Sequence, residues 1–310
     1  MAAIARSSIA SELVRVADGG EGIVYRIGSR PTQVYKEYKE AQRPTMNVAA
    51  LQDLIDFKDQ LPTPDQARLL SRTVWPKEIV AHGAQPFGFV MDAIDPRFYR
   101  KYGLRANPKD VLCDWNQLIY QAGTAPSHMI SEIPRVSAPE AVQLLSDLAQ
   151  TVDLLHRHDI VVGDMSAKNL VWSVNPLVVL LIDCDSFRRS GKLGVCAHKE
   201  SPGWVDPTLQ GRPTSKDSDI YKLGVAAYRS LWHDASSAVT SQFVKDRPAP
   251  NVPAVLLSLI AASVAETGRP SSTDWVTTLQ NLYKYGGRPT IGARPVPPVA
   301  PPRQRIRLQF

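Results

Sequence analysis

Two acidic segments in the second half of the chain each follow an apolar run. Asp164 and Asn169 come after Ile160–Val162, and Asp183 comes after Leu181-Ile182. An aspartate and an asparagine at this spacing on a loop can place a carboxylate beside an attacking hydroxyl and an amide oxygen on a metal ion. An aspartate at the end of a strand suits Mg²⁺, although such a residue is usually only part of a turn.

A glycine-rich turn and a lysine in the first 40 residues add a second kind of chemistry. Gly19, Gly20 and Gly22 allow the backbone to approach a phosphate without a Cβ atom in the way. Lys36, in Val34-Tyr35-Lys36, would supply positive charge for phosphate oxygens. Glycine turns are common and most strand lysines are solvated, so neither feature is specific alone. The four features in this order are unlikely to be a coincidence.

The N-terminal third predicts mainly strands. Alternating and β-branched apolar residues predict strands at 13–16, 23–27 and 33–38, and a further strand at Phe87–Met91. Apolar residues at helical spacing predict a helix over Asn47–Gln60, ended by Pro62 and Pro64.

Beyond about residue 94 the pattern becomes helical. Ser137, Pro139 and Glu140 form a capping-box start for a long helix. Two short strands follow, at 159–162 and 178–182, with a loop between them, and further helices are predicted over 217–232, 252–265 and 273–282. Residues 96–135 show no clear period. From 286 onward proline and glycine interrupt every pattern, and 295–302 should be polyproline II.

These residues resemble the signature of the protein-kinase superfamily, which combines a glycine loop, a strand lysine, a catalytic Asp with an Asn and a metal-binding Asp. Met91-Asp92-Ala93-Ile94 resembles the segment that takes the adenine, and further similar motifs lie at 219–224 and at Gly268-Arg269-Pro270. The resemblance covers about residues 10–285. Its details are most similar to bacterial atypical kinase-like proteins associated with helix-hairpin-helix segments.

The resemblance implies an α+β, bilobal fold with a β-rich N-lobe over 1–92, a mainly helical C-lobe over 93–286 and a Pro-rich basic tail over 287–310. ATP and Mg²⁺ are the implied cofactors. The implied roles are catalysis by Asp164, Lys36 and Lys168; nucleotide binding by Gly19, Gly20, Gly22, Val24, Lys36, Met91, Asp92 and Ile94; and metal binding by Asn169 and Asp183.

The chain departs from the family pattern at several of these motifs. Gly163 stands where the arginine that binds an activation-loop phosphate is usual, and Ser166 replaces a lysine whose task Lys168 could take. Asp185 replaces a glycine, where it could hold a metal or alter the backbone hinge. The acid that usually pairs with the strand lysine would be Asp53 or Asp56. Arg269 lacks its usual glutamate, unless Asp206 serves instead.

The leading hypothesis is an ATP-dependent protein serine/threonine kinase, with the chain itself among its candidate substrates. A small-molecule kinase of the aminoglycoside or choline type is the first alternative, favoured by Gly163-Asp164. An ATP-binding pseudokinase scaffold is the second, favoured by Ser166 and Gly163. The resemblance also implies a PP2C-type phosphatase and a von Willebrand A protein as partners.

The charge and the cysteine content indicate which binding partners and which cellular location to expect. The net charge is +6, from 36 basic and 30 acidic residues, but six basic residues and no acid lie in 284–310, so residues 1–283 are balanced. This balance argues against nucleic-acid binding by the body. Three widely spaced cysteines and the lack of a long apolar run predict a cytoplasmic chain without a membrane segment. Pro298–Arg303 fits a ligand for an SH3-like domain, although a disordered linker is the more ordinary interpretation.

Overall fold

The computed structural model describes residues 3–121, 126–197, 200–235, 238–247 and 252–285. The predicted polyproline segment and its SH3-type motif lie outside these residues.

A six-stranded sheet forms the N-terminal region. Its spatial order is β1-β5-β6-β4-β3-β2, antiparallel except for the β1–β5 pair. The strands are β1 (Ile4–Ala5), β2 (Leu13–Asp18), β3 (Gly22–Ile27), β4 (Arg30–Tyr38), β5 (Pro76–His82) and β6 (Gln85–Asp92). The strands predicted around the glycine turn and at Phe87–Met91 are confirmed, whereas β1 and β5 were not predicted.

Three helices accompany this sheet, α1 (Arg6–Ile9), α2 (Val48–Phe57) and α3 (Thr63–Arg72). Asn47 caps α2 by accepting a hydrogen bond from Ala50 N at 3.1 Å, and Leu51, Leu54 and Ile55 form its buried side. The predicted helix is therefore confirmed. α3, which was not predicted, begins right after Pro62 and contains Pro64 in its first turn, where proline is tolerated.

The segment without a clear period folds into a small sheet and a helix. Strands β7 (Tyr99–Leu104), β8 (Lys109–Leu112) and β9 (Met129–Ser131) pair antiparallel in the order β8-β7-β9. Helix α4 (Trp115–Tyr120) follows β8 and buries Trp115 completely.

The remaining helices build the larger C-terminal core. They are α5 (Ala138–Arg157), α6 (Lys216–Trp232), α7 (Ser241–Lys245), α8 (Ala254–Ser263) and α9 (Ser272–Tyr285). The predicted capping box of α5 is present, because Ser137 and Glu140 bond reciprocally at its first turn. Together with the N-terminal sheet, these helices confirm the α+β class. In the part of the chain that is described, no helix combines the length and apolar character needed to cross a membrane.

Four short strands lie between α5 and α6. β10 (Ile160–Val161) pairs with β13 (Arg188–Arg189), and β11 (Leu170–Val174) pairs antiparallel with β12 (Leu177–Leu181). The prediction of a loop between the two short strands is wrong at β11. Val171 and Trp172 there are fully buried by tertiary packing, which the short apolar run did not reveal.

Arg269, just before α9, forms a salt bridge with the loop that precedes α6. Its fully buried side chain forms a salt bridge with Asp206, which is 1% exposed, and a second one with Asp217 at 3.1 Å. Asp206 therefore takes the place of the missing glutamate. Burial alone would raise the pKa of Asp206, but hydrogen bonds from Arg269 and Thr208 hold it below its usual value.

Gly88 allows β6 to pack closely against Lys36 on β4. A Cβ atom at position 88 would lie 1.9 Å from the backbone oxygen of Lys36, whereas one at Gly20 would meet nothing within 4 Å. We expect Gly88→Ala to lower the free energy of unfolding by about 2–3 kcal/mol because the strands must move apart. Gly20→Ala is the matched control, with a change within about 0.5 kcal/mol in the same denaturant titration. Equal stability of the two variants would contradict the close approach.

Removing the buried charge at Asp206 should also destabilise the fold. We expect Asp206→Asn to cost about 3 kcal/mol at pH 7, because it leaves the buried Arg269 with only its exposed partner. Since the pKa of Asp206 is lowered in the folded state, this difference is present at neutral pH and shrinks as the pH falls below about 4. Denaturant unfolding at pH 7 and pH 3 measures it. Asp110→Asn, in the exposed pair with Lys101, is the control and should change stability by less than about 1 kcal/mol.

Candidate active site

Lys36 lies in the cleft between the sheet and the helical region. Its residue is 6% exposed, and its amine reaches across to the segment that follows β12. Val24 lies opposite Lys36 on β3, and Phe89 lies opposite on β6. The central position of β4 in the sheet therefore fixes where the lysine points.

Two aspartates share the Lys36 amine. The Nζ atom donates to Asp183 Oδ1 at 2.5 Å and to both carboxylate oxygens of Asp185, at 2.8 and 2.9 Å. Asp183, two residues after β12, has a left-handed backbone, φ 61° and ψ 41°, and the short 3-10 helix Cys184–Ser186 follows. This sharp turn brings both carboxylates to one amine, and such a conformation in a non-glycine residue stores strain of about 1–3 kcal/mol.

The charges in this cluster shift one another's pKa values. Burial lowers the pKa of Lys36, but the charges of Asp185 and Asp183 outweigh it, so the pKa is raised and the amine stays protonated. Burial raises the pKa of Asp185, and the Lys36 charge opposes that rise. The Cys184 thiol between the aspartates is fully buried and its pKa is raised, first by burial, so it acts as a packed side chain.

Asp164 and Asn169 lie together on the loop between β10 and β11. Asn169 Nδ2 donates to the backbone oxygen of Asp164 at 2.8 Å and to its Oδ2 at 2.9 Å. Ile182 N donates to Asn169 O at 3.0 Å, which places Asn169 beside the residue preceding Asp183. The sequence-predicted acid, amide and second acid thus belong to one site.

A serine from the segment after β13 contacts the same carboxylate. Ser201 donates its backbone N–H to Asp164 Oδ1 at 3.1 Å and its hydroxyl to Oδ2 at 3.2 Å. Asp164 can therefore accept a hydrogen bond from a polypeptide hydroxyl in this geometry.

The loop that carries Asp164 is anchored to the first turn of α6. Asp219, which is fully buried, accepts hydrogen bonds from Val162 N at 2.8 Å and from Gly163 N at 2.9 Å, and His156 Nε2 lies 3.1 Å from it. Lys222, also fully buried, donates to Gly163 O and pairs with Glu200 at 2.6 Å. These contacts hold the backbone of the loop on both sides of Gly163.

The predicted nucleotide-binding residues border the other side of the cleft. Gly19 N donates to Gly22 O at 2.9 Å, which closes the glycine turn at the end of β2. Met91, on β6, and Ile94, just after that strand, pack against an apolar cluster that includes the fully buried Val171 of β11. The Asp92 side chain forms a salt bridge with Lys77 at 2.7 Å.

The expectation that Asp53 or Asp56 pairs with Lys36 is wrong. Asp53 accepts a hydrogen bond from Arg189 Nε at 3.1 Å, and Asp56 accepts one from Gln52 at 2.8 Å within α2. An aspartate on α2 is one methylene shorter than a glutamate, while Asp185 already lies against the amine.

Lys168 is the one predicted catalytic residue that the structure places at the surface rather than in the buried cluster. Its charge acts on Asp114, whose pKa is raised by burial and partly lowered again by this lysine.

Sequence reasoning missed two residues of the site and the partner of a third. Tyr38 donates its hydroxyl to Asp185 Oδ2 at 2.7 Å, and Ser201 binds Asp164. Asp185, which was noted for replacing a glycine, binds Lys36. The alternation of strand residues could have placed Tyr38 on the same face of β4 as Lys36. Nothing local to Ser201 indicates its contact, because it depends on how the segment between β13 and α6 folds back.

No protein-family model matches the chain. The protein kinase YegI of Escherichia coli K12 is 24% identical over 325 residues, which cover 90% of this chain and 46% of YegI. YegI of Escherichia coli O157:H7 matches to the same extent. The chain therefore spans about half the length of the curated relatives it matches.

Among solved structures, the ROP18 kinase domain in complex with AMP-PNP and sucrose has a similar fold. The TM-score is 0.58 at 16% identity, and the match covers 87% of this chain and 79% of that domain. The chain therefore has the fold of a protein-kinase-like domain, and its sequence is similar to YegI over 90% of its length.

Proposed function

We propose that this chain is an ATP- and Mg²⁺-dependent phosphotransferase that transfers the γ-phosphate to a serine or threonine hydroxyl of a protein. The observation that carries this proposal is the convergence of Lys36, Asp164, Asn169 and Asp183 in one cleft. Positioning and charge stabilisation by such groups account for most of the catalysis in phosphoryl transfer. YegI, a relative named as a protein kinase, supports the same reaction class.

The residues at the cleft fit a bound Mg²⁺. Asp183 presents a carboxylate that is 42% exposed, and Asn169, whose backbone oxygen accepts a hydrogen bond from the adjacent Ile182, carries an amide oxygen. Carboxylate and amide oxygens are donor types that Mg²⁺ prefers. Among the described residues, no group of three or more His, Cys, Asp or Glu side chains is arranged to hold a metal ion, so these two residues are the ones that would hold Mg²⁺. The ion would neutralise charge on the transferred phosphate.

Each side chain of the site has a separate task in this proposal. The protonated Lys36 amine binds phosphate oxygens, and the backbone of the turn at Gly19–Gly22 covers them. Asp164 orients the attacking hydroxyl and accepts its proton, while Asn169 holds the Asp164 carboxylate in place. Met91 and Ile94, which are only partly buried, offer an apolar surface for the adenine ring.

The contact of Ser201 with Asp164 favours a protein substrate. Its hydroxyl makes the hydrogen bond that a substrate hydroxyl would have to make, and it does so as part of a polypeptide segment. The small-molecule alternative rests on Gly163-Asp164, but Gly163 has a φ of 78°, a backbone conformation that itself favours glycine. The pseudokinase alternative is separated by the following experiment.

We expect the purified chain with Mg²⁺ and γ-labelled ATP to label itself or an added protein substrate. Asp164→Asn should lower transfer at least about 100-fold while nucleotide binding is retained, because only the proton acceptor is lost. Asp183→Asn should abolish transfer and weaken Mg²⁺-dependent binding of a non-hydrolysable ATP analogue. Scintillation counting and calorimetry measure the two quantities.

Asp110→Asn, on the exposed face of β8, is the control for these variants and should match the wild type. Nucleotide binding without any transfer would instead favour a pseudokinase. Label transfer to a small alcohol but to no protein would favour the small-molecule alternative, and absence of nucleotide binding would rule out all three.

A further inference from the structure

The acid that holds Lys36 is Asp185, in the segment that follows β12, and not an aspartate on α2. Asp185 binds the amine with both carboxylate oxygens, at 2.8 and 2.9 Å, and its side chain is only 3% exposed. Asp183 binds the same amine through one oxygen and is 42% exposed. The two carboxylates are therefore unequal, since one is enclosed with the lysine and the other faces the open cleft.

Tyr38 fixes the orientation of Asp185. Its hydroxyl donates to Asp185 Oδ2 at 2.7 Å, and its fully buried ring packs against Phe89 at a centroid distance of 6.0 Å. Lys36 and Tyr38 are two residues apart on β4, so both point to the same face of the sheet. One strand thus contacts the Asp185 carboxylate at two points, through an amine and through a phenol.

Helix α2 is held in place by other contacts. Asn47 N, at its start, donates to Val195 O at 2.7 Å, and Trp75 Nε1 donates to Leu54 O at 2.7 Å. Asp53 pairs with Arg189. These bonds connect α2 to the segment after β13 and to the neighbouring sheet without passing through Lys36.

We propose that Asp185, oriented by Tyr38, is the positioning residue that holds Lys36 for phosphate binding, in place of an acid on α2. This inference rests on the proposed function. When Asp183 takes a metal ion, Asp185 keeps the amine in its orientation. The orientation of Lys36 then depends on β4 and on the segment that follows β12. A shift of α2 does not break the contact between Lys36 and Asp185.

The first experiment measures the lysine without any reaction with ATP. Acetylation of Lys36 by an N-hydroxysuccinimide ester, followed by mass spectrometry, reports how well the amine is enclosed and paired. We expect Asp185→Asn to raise the labelling rate of Lys36 about 10-fold and Tyr38→Phe to raise it less, because Phe keeps the ring packing and loses one hydrogen bond. The double variant Asp53→Asn/Asp56→Asn should leave the rate within about 2-fold of the wild type.

The second experiment measures phosphate transfer by the same variants. Asp185→Asn should lower kcat, raise KM for ATP and raise the Mg²⁺ concentration at half-maximal rate, since Asp183 is then the remaining carboxylate on Lys36 and must leave it to bind the metal. Tyr38→Phe should shift the same three quantities in the same direction by a smaller factor. The α2 double variant should keep wild-type kinetics.

The proposal is overturned if the α2 double variant shows faster labelling of Lys36 and slower phosphate transfer than Asp185→Asn. It is also overturned if Asp185→Asn is labelled at the wild-type rate. A circular-dichroism melting curve identifies any variant that fails to fold, and Tyr38→Phe then carries the comparison. If the wild type transfers no phosphate but the labelling order holds, the proposed function fails while the Asp185–Lys36 arrangement stands.

Discussion

The burial of the Lys36 ammonium group is the constraint on which the rest of the site depends. An isolated charge in a cleft that excludes water costs several kcal/mol unless it is paired and hydrogen-bonded. The sheet supplies the amine, and the segment after β12 supplies both carboxylates, so the pairing links the two regions of the chain at this point. The close approach at Gly88 and the left-handed backbone of Asp183 are understandable as conditions for bringing these groups together.

The loop with Asp164 meets a related constraint through its backbone. A short loop that must hold a carboxylate steadily needs its own N–H groups bonded, and buried Asp219 accepts two of them while Lys222 binds the oxygen of Gly163. Both anchors lie on α6, one turn apart. Asp164, which would accept a proton, thus depends on a helix for its position, whereas Lys36, which would bind phosphate, depends on a sheet. The cleft lies between these two elements.

Local patterns explain which parts of this structure could be predicted. Period-two alternation identified β3 and β4, and the capping box identified α5. Motif spacing pointed to Lys36, Asp164, Asn169 and Asp183, which the structure brings into one cleft. The sheet β7–β9 and strand β11 have short runs whose burial is decided by tertiary packing, so periodicity was uninformative there. Asp185 was recognised as unusual, but its partner could not be predicted, because no local rule says which residue meets an amine 149 positions earlier in the chain.

Two of the departures from the family pattern have the same physical explanation. At Lys36 and at Arg269 the expected glutamate is missing, and in each case an aspartate from another position binds the cation, Asp185 in the first and Asp206 in the second. A buried cation requires a negative partner with suitable geometry, but it does not specify which element provides it. Comparing motifs position by position therefore shows two losses, whereas the charges in three dimensions are balanced. For this chain, a missing motif residue is thus weak evidence against activity until the surroundings of its former partner have been inspected.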